Sequence, residues 1–138
     1  MIYSYGTKSE LALAGCHLSL QRIMREALAV AILDITIIEG YRPKEIQHQY
    51  FLEGKSRVDA GNPKAMHCHK PSLAADAVPY INGVLSWNHY HCSVLAGIIL
   101  TCSKKLGYTI RWGGNWDQDG EPITDQSFQD LAHCELIL

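Results

Sequence analysis

An α+β fold, a small antiparallel sheet with helices packed on it, is the class this sequence predicts. Two observations carry most of the argument. The run Asp34–Glu39 (DITIIE) is dense in β-branched residues and short enough to be a strand. Residues 88–106 repeat apolar side chains at 95, 98, 99, 102 and 106, the period of one helix face. Further strand-like segments fall at 74–81, 108–112 and 132–138, interleaved with helical stretches. No linker, internal repeat or low-complexity stretch separates them, so the chain reads as one domain over residues 1–138.

Taken in order, Thr7-Lys8-Ser9-Glu10 fits a capping box that opens a helical region reaching about Ala31. Gly15 is expected to break or bend it, because the apolar register shifts from Leu11/Ala14/Leu18 to Leu20/Ile23/Met24/Ala27. The DITIIE strand follows. A second helix starts at Pro43, where the missing N–H costs nothing, and ends near Gly54. Residues 55–68 read as irregular, and Ala74–Ile81 as a strand containing Asp76. The helix from Asn88 to Leu106 places Lys104 and Lys105 in its last turn, with Gly107 as its stop. Strands at Tyr108–Trp112 and Ala132–Leu138 complete the sheet.

Bulk properties narrow the function classes. At 138 residues the chain can bury roughly two thirds of its unfolded surface in a single core. A formal net charge of -2 gives no basic footprint for nucleic acid and no polybasic membrane anchor. The longest apolar runs, Ala27–Leu33 and Val94–Leu100, are far short of a membrane span. MIYSYGTKSE lacks the basic start and apolar stretch of a signal peptide, so a cytoplasmic location is expected. The five cysteines (16, 68, 92, 102, 134) form no CxxC pair and read as reduced, mostly buried small hydrophobes. Cys68 and Cys134 adjoin candidate ligands, but on extended backbone alternate residues face opposite sides, so they are expected to point away.

The candidate chemistry lies in two segments. MHCHKPSLAADAVPY separates His69 from Asp76 by seven, and DQSFQDLAHCEL places Asp130 three before His133. Two imidazoles and a carboxylate suit Zn²⁺, and three protein ligands leave a coordination position for water. Asp130 is then placed to take that water's proton. Neither spacing is specific alone, since each arises by chance in many proteins of this size. Arg42, between the DITIIE strand and the next helix, could polarise a carbonyl, stabilise an oxyanion or grip a carboxylate; its bland alternative is an exposed arginine near a helix start. His17, His48, His89 and His91 fall in helical stretches and read as surface or partly buried residues.

These motifs together resemble the zinc peptidases of peptidoglycan stem peptides. That family groups D-alanyl-D-alanine carboxypeptidases and dipeptidases with the L-alanyl-D-glutamate endopeptidases of phage. Its pattern is Ser-x-His-x-x-Gly-x-Ala-x-Asp, then Glu or Asp-x-x-His, matched here at His69, Ala74, Asp76, Asp130 and His133. Gly40-Tyr41-Arg42 ahead of Gln47, and Arg111–Trp116 (RWGGNW), resemble segments of the phage enzymes. The resemblance implies zinc on His69, Asp76 and His133, Asp130 as general base, and Arg42 on the carbonyl oxygen. It also implies the fold of the D-alanyl-D-alanine carboxypeptidase and hedgehog-like type.

The sequence departs from the pattern at three positions. His67 stands for the usual Ser, Ser72 for the usual Gly, and Asn115 where Asp is frequent. If the segment is extended, His67 shares a face with His69 and could bind substrate or compete for metal. Ser72 raises the question whether that loop needs a glycine for positive φ. Tyr80, Trp87 and Trp116 are candidate substrate contacts by proximity to the motifs. Asp117, Asp119, Glu121 and Asp125 crowd one loop where calcium is conceivable, although EF-hand spacing fails because Phe128 stands at the twelfth position.

The expected function is an endolysin-type, zinc-dependent L-alanyl-D-glutamate endopeptidase. It would act as a monomer on peptidoglycan after host membrane breach, without nucleic acid or stable membrane association. A D-alanyl-D-alanine carboxypeptidase or dipeptidase is the enzymatic alternative. A catalytically silent zinc-containing wall-binding or structural module is the alternative of another class.

Overall fold

The structure is a computed structural model and describes residues 2–138. Its helices are α1 (Thr7–Ala14), α2 (Leu18–Ala29), α3 (Lys44–Leu52) and α4 (His89–Lys105). Its strands are β1 (Asp34–Glu39), β2 (Ala74–Ile81), β3 (Val84–Leu85), β4 (Thr109–Gly113) and β5 (Asp130–Ile137). The sheet runs β1-β2-β5-β4, with β3 paired to the far end of β2, and every pairing is antiparallel.

Gly15 does end the first helix, and α2 restarts three residues later, capped by His17, whose Nδ1 accepts from the Ser19 N–H. The capping box is not formed. The N-cap is Gly6, without a side-chain bond, and Glu10, the acidic member of the box, is drawn to a tertiary partner instead. Ser9 Oγ accepts from Ile37 N–H on edge strand β1, satisfying a donor that the ladder leaves free. Glu10 pairs with Arg25 of α2 at 2.7 Å. β3 was not foreseen from the sequence: Asn82 and Gly83 both adopt positive φ, the two-residue turn that suits a tight hairpin.

The sheet has two unlike faces. One carries Ile35, Ile37, Ala75, Ala77, Ile110, Trp112, Cys134 and Leu136 into a core with Leu13, Leu20, Ile23, Met24, Leu95 and Ile99 of the helices. Four of the five free cysteines are buried, and Cys68 is half-buried. The other face is polar, and two irregularities in pairing shape it. Between Ile37 and Glu39, β1 gains a residue over β2, so Ile37 opposes Ala77 but Glu39 opposes Asp76. The bulge turns Glu39 away from the core face that its alternation with Ile35 and Ile37 would give it. On the opposite side, β4 shifts against β5 between Trp112 and Gly113, so Gly113 opposes Asp130.

Candidate metal centre and active site

Asp76 on β2 and His133 on β5 are direct cross-strand partners, so their side chains leave the same face. β5 begins at Asp130, which puts His133 inside the strand rather than at its start. The third member is His67, from the 3-10 turn Met66–Cys68 that precedes β2. His67, Asp76 and His133 each offer a ligand atom, all within 4.8 Å of one another. His67 Nε2 lies 3.2 Å from Asp76 Oδ1, and His133 Nδ1 lies 3.6 Å from the same oxygen.

The outer ring nitrogens test whether this donor set fits a metal. His67 Nδ1 donates to the Gly40 carbonyl at 2.7 Å, and His133 Nε2 donates to Glu135 Oε1 at 2.8 Å. Both acceptors fix a proton on the outer nitrogen, so the inner nitrogen of each imidazole can present a lone pair to the centre. Ligand histidines are characteristically anchored in this way. Burial would raise the Asp76 carboxyl, but His67 and His133 outweigh it and hold it far below the usual carboxylate range. Burial opposes charge on His133, yet its bonds to Asp76 and Glu135 push it up to about 9. The donor set of two nitrogens and an anionic oxygen fits a divalent metal such as zinc.

His69 does not join this centre. It is half-buried, its Nε2 bonds the Pro63 carbonyl at 2.8 Å, and it does not line the cleft described below. The expectation that His67 and His69 share a face rested on extended backbone. In a 3-10 turn each residue rotates about 120°, so two residues apart no longer align. Ser72 likewise needs no glycine: it is not among the residues at positive φ, and its hydroxyl donates to the Ala74 carbonyl at 2.8 Å.

The triad opens into a cleft of about 530 Å³ that Arg42, Gln47, Tyr50, Trp116 and Asp130 also line. Arg42 is 9% exposed, so it is not the surface arginine of the bland alternative. Glu39, brought to this face by the bulge, accepts from Arg42 Nε at 2.6 Å and Nη2 at 2.9 Å. Gln47 accepts from Nη1 at 2.8 Å while its own amide donates to the Val58 carbonyl at 2.6 Å. One hydrogen remains on each terminal guanidinium nitrogen. Asp76 Oδ2 lies 3.7 Å from Nη2. Burial, and after it the charge of Asp76, raise the Asp130 carboxyl above its ordinary value against the pull of His133, His67 and Arg42. An acid raised in this way is a better proton acceptor when ionised.

Trp116 packs on His133 with ring centroids 5.5 Å apart and forms part of the cleft wall. Tyr80 and Trp87 do not line it: both are exposed, near the β2–β3 hairpin and the start of α4. His17, His48 and His91 serve local bonds, to Ser19, Asp59 and Ser86. In the acidic loop, Asp117, Asp119 and Asp125 approach one another fully exposed, without Glu121. Asp117 and Asp119 accept from the loop's own N–H groups at Asp119 and Glu121, and nothing there points to calcium.

Sequence reasoning missed His67 as a member of the centre, together with Glu39 and Glu135. The sequence assigned the ligand role to His69 and left His67 as a substrate contact or metal competitor; the bonds of His67 to Gly40 and Asp76, and of His69 to Pro63, separate the two. Glu39 is legible only once the bulge is known.

The sequence model of the phage L-alanyl-D-glutamate peptidase family matches residues 1–137. The L-alanyl-D-glutamate peptidase of Escherichia phage T5 is 30% identical over 141 residues, spanning 99% of this chain and 100% of that protein. The crystal structure of the Serratia marcescens L-Ala D-Glu endopeptidase ChiX aligns with a TM-score of 0.78 at 24% identity, covering 97% of this chain and 90% of that one, a likeness of fold. The chain is thus a peptidase that belongs to the phage L-alanyl-D-glutamate peptidase family.

Proposed function

We propose that the chain is a zinc-dependent endopeptidase that cuts the L-alanyl–D-glutamate bond of peptidoglycan stem peptides. Residues 1–138 act as one catalytic domain on the cell wall. The observation that carries this reading is the His67–Asp76–His133 cluster opening into the same cleft as Asp130 and Arg42, in a chain of this family.

His67 Nε2, Asp76 and His133 Nδ1 would hold the metal. Zinc bound there would supply Lewis-acid polarisation of the scissile carbonyl and lower the pKa of water enough for attack near neutral pH. Asp130 accepts the attacking water's proton and returns it to the nitrogen of the departing D-glutamate. Arg42, pinned by Glu39 and Gln47, turns its two uncommitted hydrogens to the carbonyl oxygen as negative charge grows there. Because those partners fix the guanidinium beforehand, little reorganisation is needed during the reaction. Trp116 covers one side of His133 and limits water on that wall of the cleft.

The test is mass spectrometry of soluble products after zinc-loaded protein is incubated with Gram-negative sacculi, with Asp130→Asn alongside. New fragments beginning at D-glutamate, absent with the variant, are expected. Release of free D-alanine or a D-alanyl dipeptide instead would transfer the chain to carboxypeptidase or dipeptidase chemistry. Stoichiometric zinc without any product would leave only a binding module.

A further inference from the structure

Apart from Trp116, the RWGGNW segment has no role in the chemistry above, although its arginine reaches the cleft. Arg111 on β4 is the cross-strand partner of Glu135 on β5. Its Nε and Nη2 both donate to Glu135 Oε2, at 3.1 and 2.9 Å. Glu135 Oε1 is thereby left for His133 Nε2, at 2.8 Å. Glu135 is only 3% exposed, and Arg111 and His133 between them take both of its oxygens.

From this chain of contacts we infer that Glu135, itself held by Arg111, is a positioning residue that sets which nitrogen of His133 meets the metal. The inference rests on the ligand set proposed above. His133 and Glu135 are two apart on one strand, so both side chains leave the same face and the carboxylate lies beside the imidazole. A carboxylate can only accept here, so it selects the imidazole with its proton on Nε2. That leaves Nδ1 as the ligand atom, oriented towards Asp76. The opposite tautomer would carry hydrogen into the metal centre and leave a bare lone pair against an anion.

Arg111 makes the arrangement one-way. With Nε and Nη2 both on Oε2, it occupies the oxygen that does not meet His133. Its Nη1 reaches the Trp116 carbonyl at 3.4 Å, and the guanidinium lies 5.3 Å from the Trp116 ring centroid. Trp116 in turn packs on His133, so the ligand is braced by carboxylate on one nitrogen and by indole on its ring. His67 has a simpler anchor, the backbone carbonyl of Gly40, which no side-chain substitution removes. Loss of Glu135 should therefore affect one ligand and spare the other.

The experiment measures zinc dissociation constants by competition with a chromophoric chelator, for wild type, Glu135→Gln, Glu135→Leu and Arg111→Met. Melting in excess EDTA runs beside it as a gauge of the fold without metal. Outer-partner losses of this kind weaken metal binding about ten- to a hundred-fold. Glu135→Leu is expected to show the full effect. Glu135→Gln, which keeps an oxygen acceptor, should recover part of it, and Arg111→Met should show a smaller loss in the same direction. Long-range nitrogen–proton NMR of zinc-loaded wild type should show the His133 proton on Nε2. Zinc affinity within about twofold of wild type in the variants would overturn the inference, even if they melt lower in EDTA. Should the Glu135 variants fail to fold, Arg111→Met and the wild-type tautomer decide it. If wild-type protein itself binds no zinc, the ligand set fails rather than the role of Glu135.

Discussion

His67 and His69 differ in what occupies their outer and inner nitrogens. His67 is 3% exposed, with Nδ1 on a backbone carbonyl and Nε2 facing Asp76. His69 spends its Nε2 on the carbonyl of Pro63 and does not line the cleft. Replacing His67 by Ala should lower zinc affinity by more than about a hundred-fold, the upper range for an outer partner. His69→Ala should retain stoichiometric zinc and turnover close to wild type. Metal content by plasma mass spectrometry after dialysis separates the two; loss of zinc from His69→Ala alone would reverse the assignment. The sequence made Asp76, Asp130 and His133 visible because their spacings survive in strands. It misplaced the first histidine because nine residues, not seven, separate His67 from Asp76, and the seven-residue spacing happens to end on another histidine. A local turn that swings side chains by a third of a circle per residue leaves no mark in the residue types.

Strands and helices were legible where periodicity was strong: Asp34–Glu39 and Ala74–Ile81 fall where the sequence placed them, and α4 differs by one residue at each end. The bulges were not, because register depends on partners far along the chain. Gly113 shows what such a bulge requires. A Cβ there would collide with the Asp130 backbone carbonyl, so a side chain would push aside the strand start that carries the proposed general base. Gly113→Ala should cost roughly 1–3 kcal/mol by overpacking. It should also lower kcat with zinc content unchanged, read from thermal melts, kinetics and metal analysis on one preparation. Gly97, mid-way along α4 with open space around it, is the control, because Ala there should stabilise by about 0.5–1 kcal/mol. If Gly113→Ala keeps wild-type kcat, the base does not depend on that close approach.

At the scale of the whole molecule, one sheet divides an apolar core from a charged cleft, and the charged face makes stability depend on pH and metal together. Without metal, the folded state holds a proton on His133 up to about 9, above the ordinary histidine value of about 6.5. That proton's contribution is fully present below pH 6.5 and is lost as pH rises through 9. Asp76 acts in the opposite sense. Its depressed carboxyl contributes stability above the ordinary Asp value of about 3.9, and that contribution is lost as pH falls further. The EDTA-treated protein should therefore be most stable between about pH 4 and 6.5 and weaken towards pH 9. Zinc needs His133 neutral at Nδ1, so binding must expel the same proton. Apparent zinc affinity should then rise roughly tenfold per pH unit between 6.5 and 9, and level off above that. Melting curves with saturating zinc and with EDTA should diverge across this window, because bound metal stabilises by mass action as its affinity grows. In His133→Gln the EDTA curve should lose its alkaline decline, since no group at that position takes up the proton. A zinc affinity that stays flat from pH 6.5 to 9 would mean that His133 is already neutral in the metal-free fold.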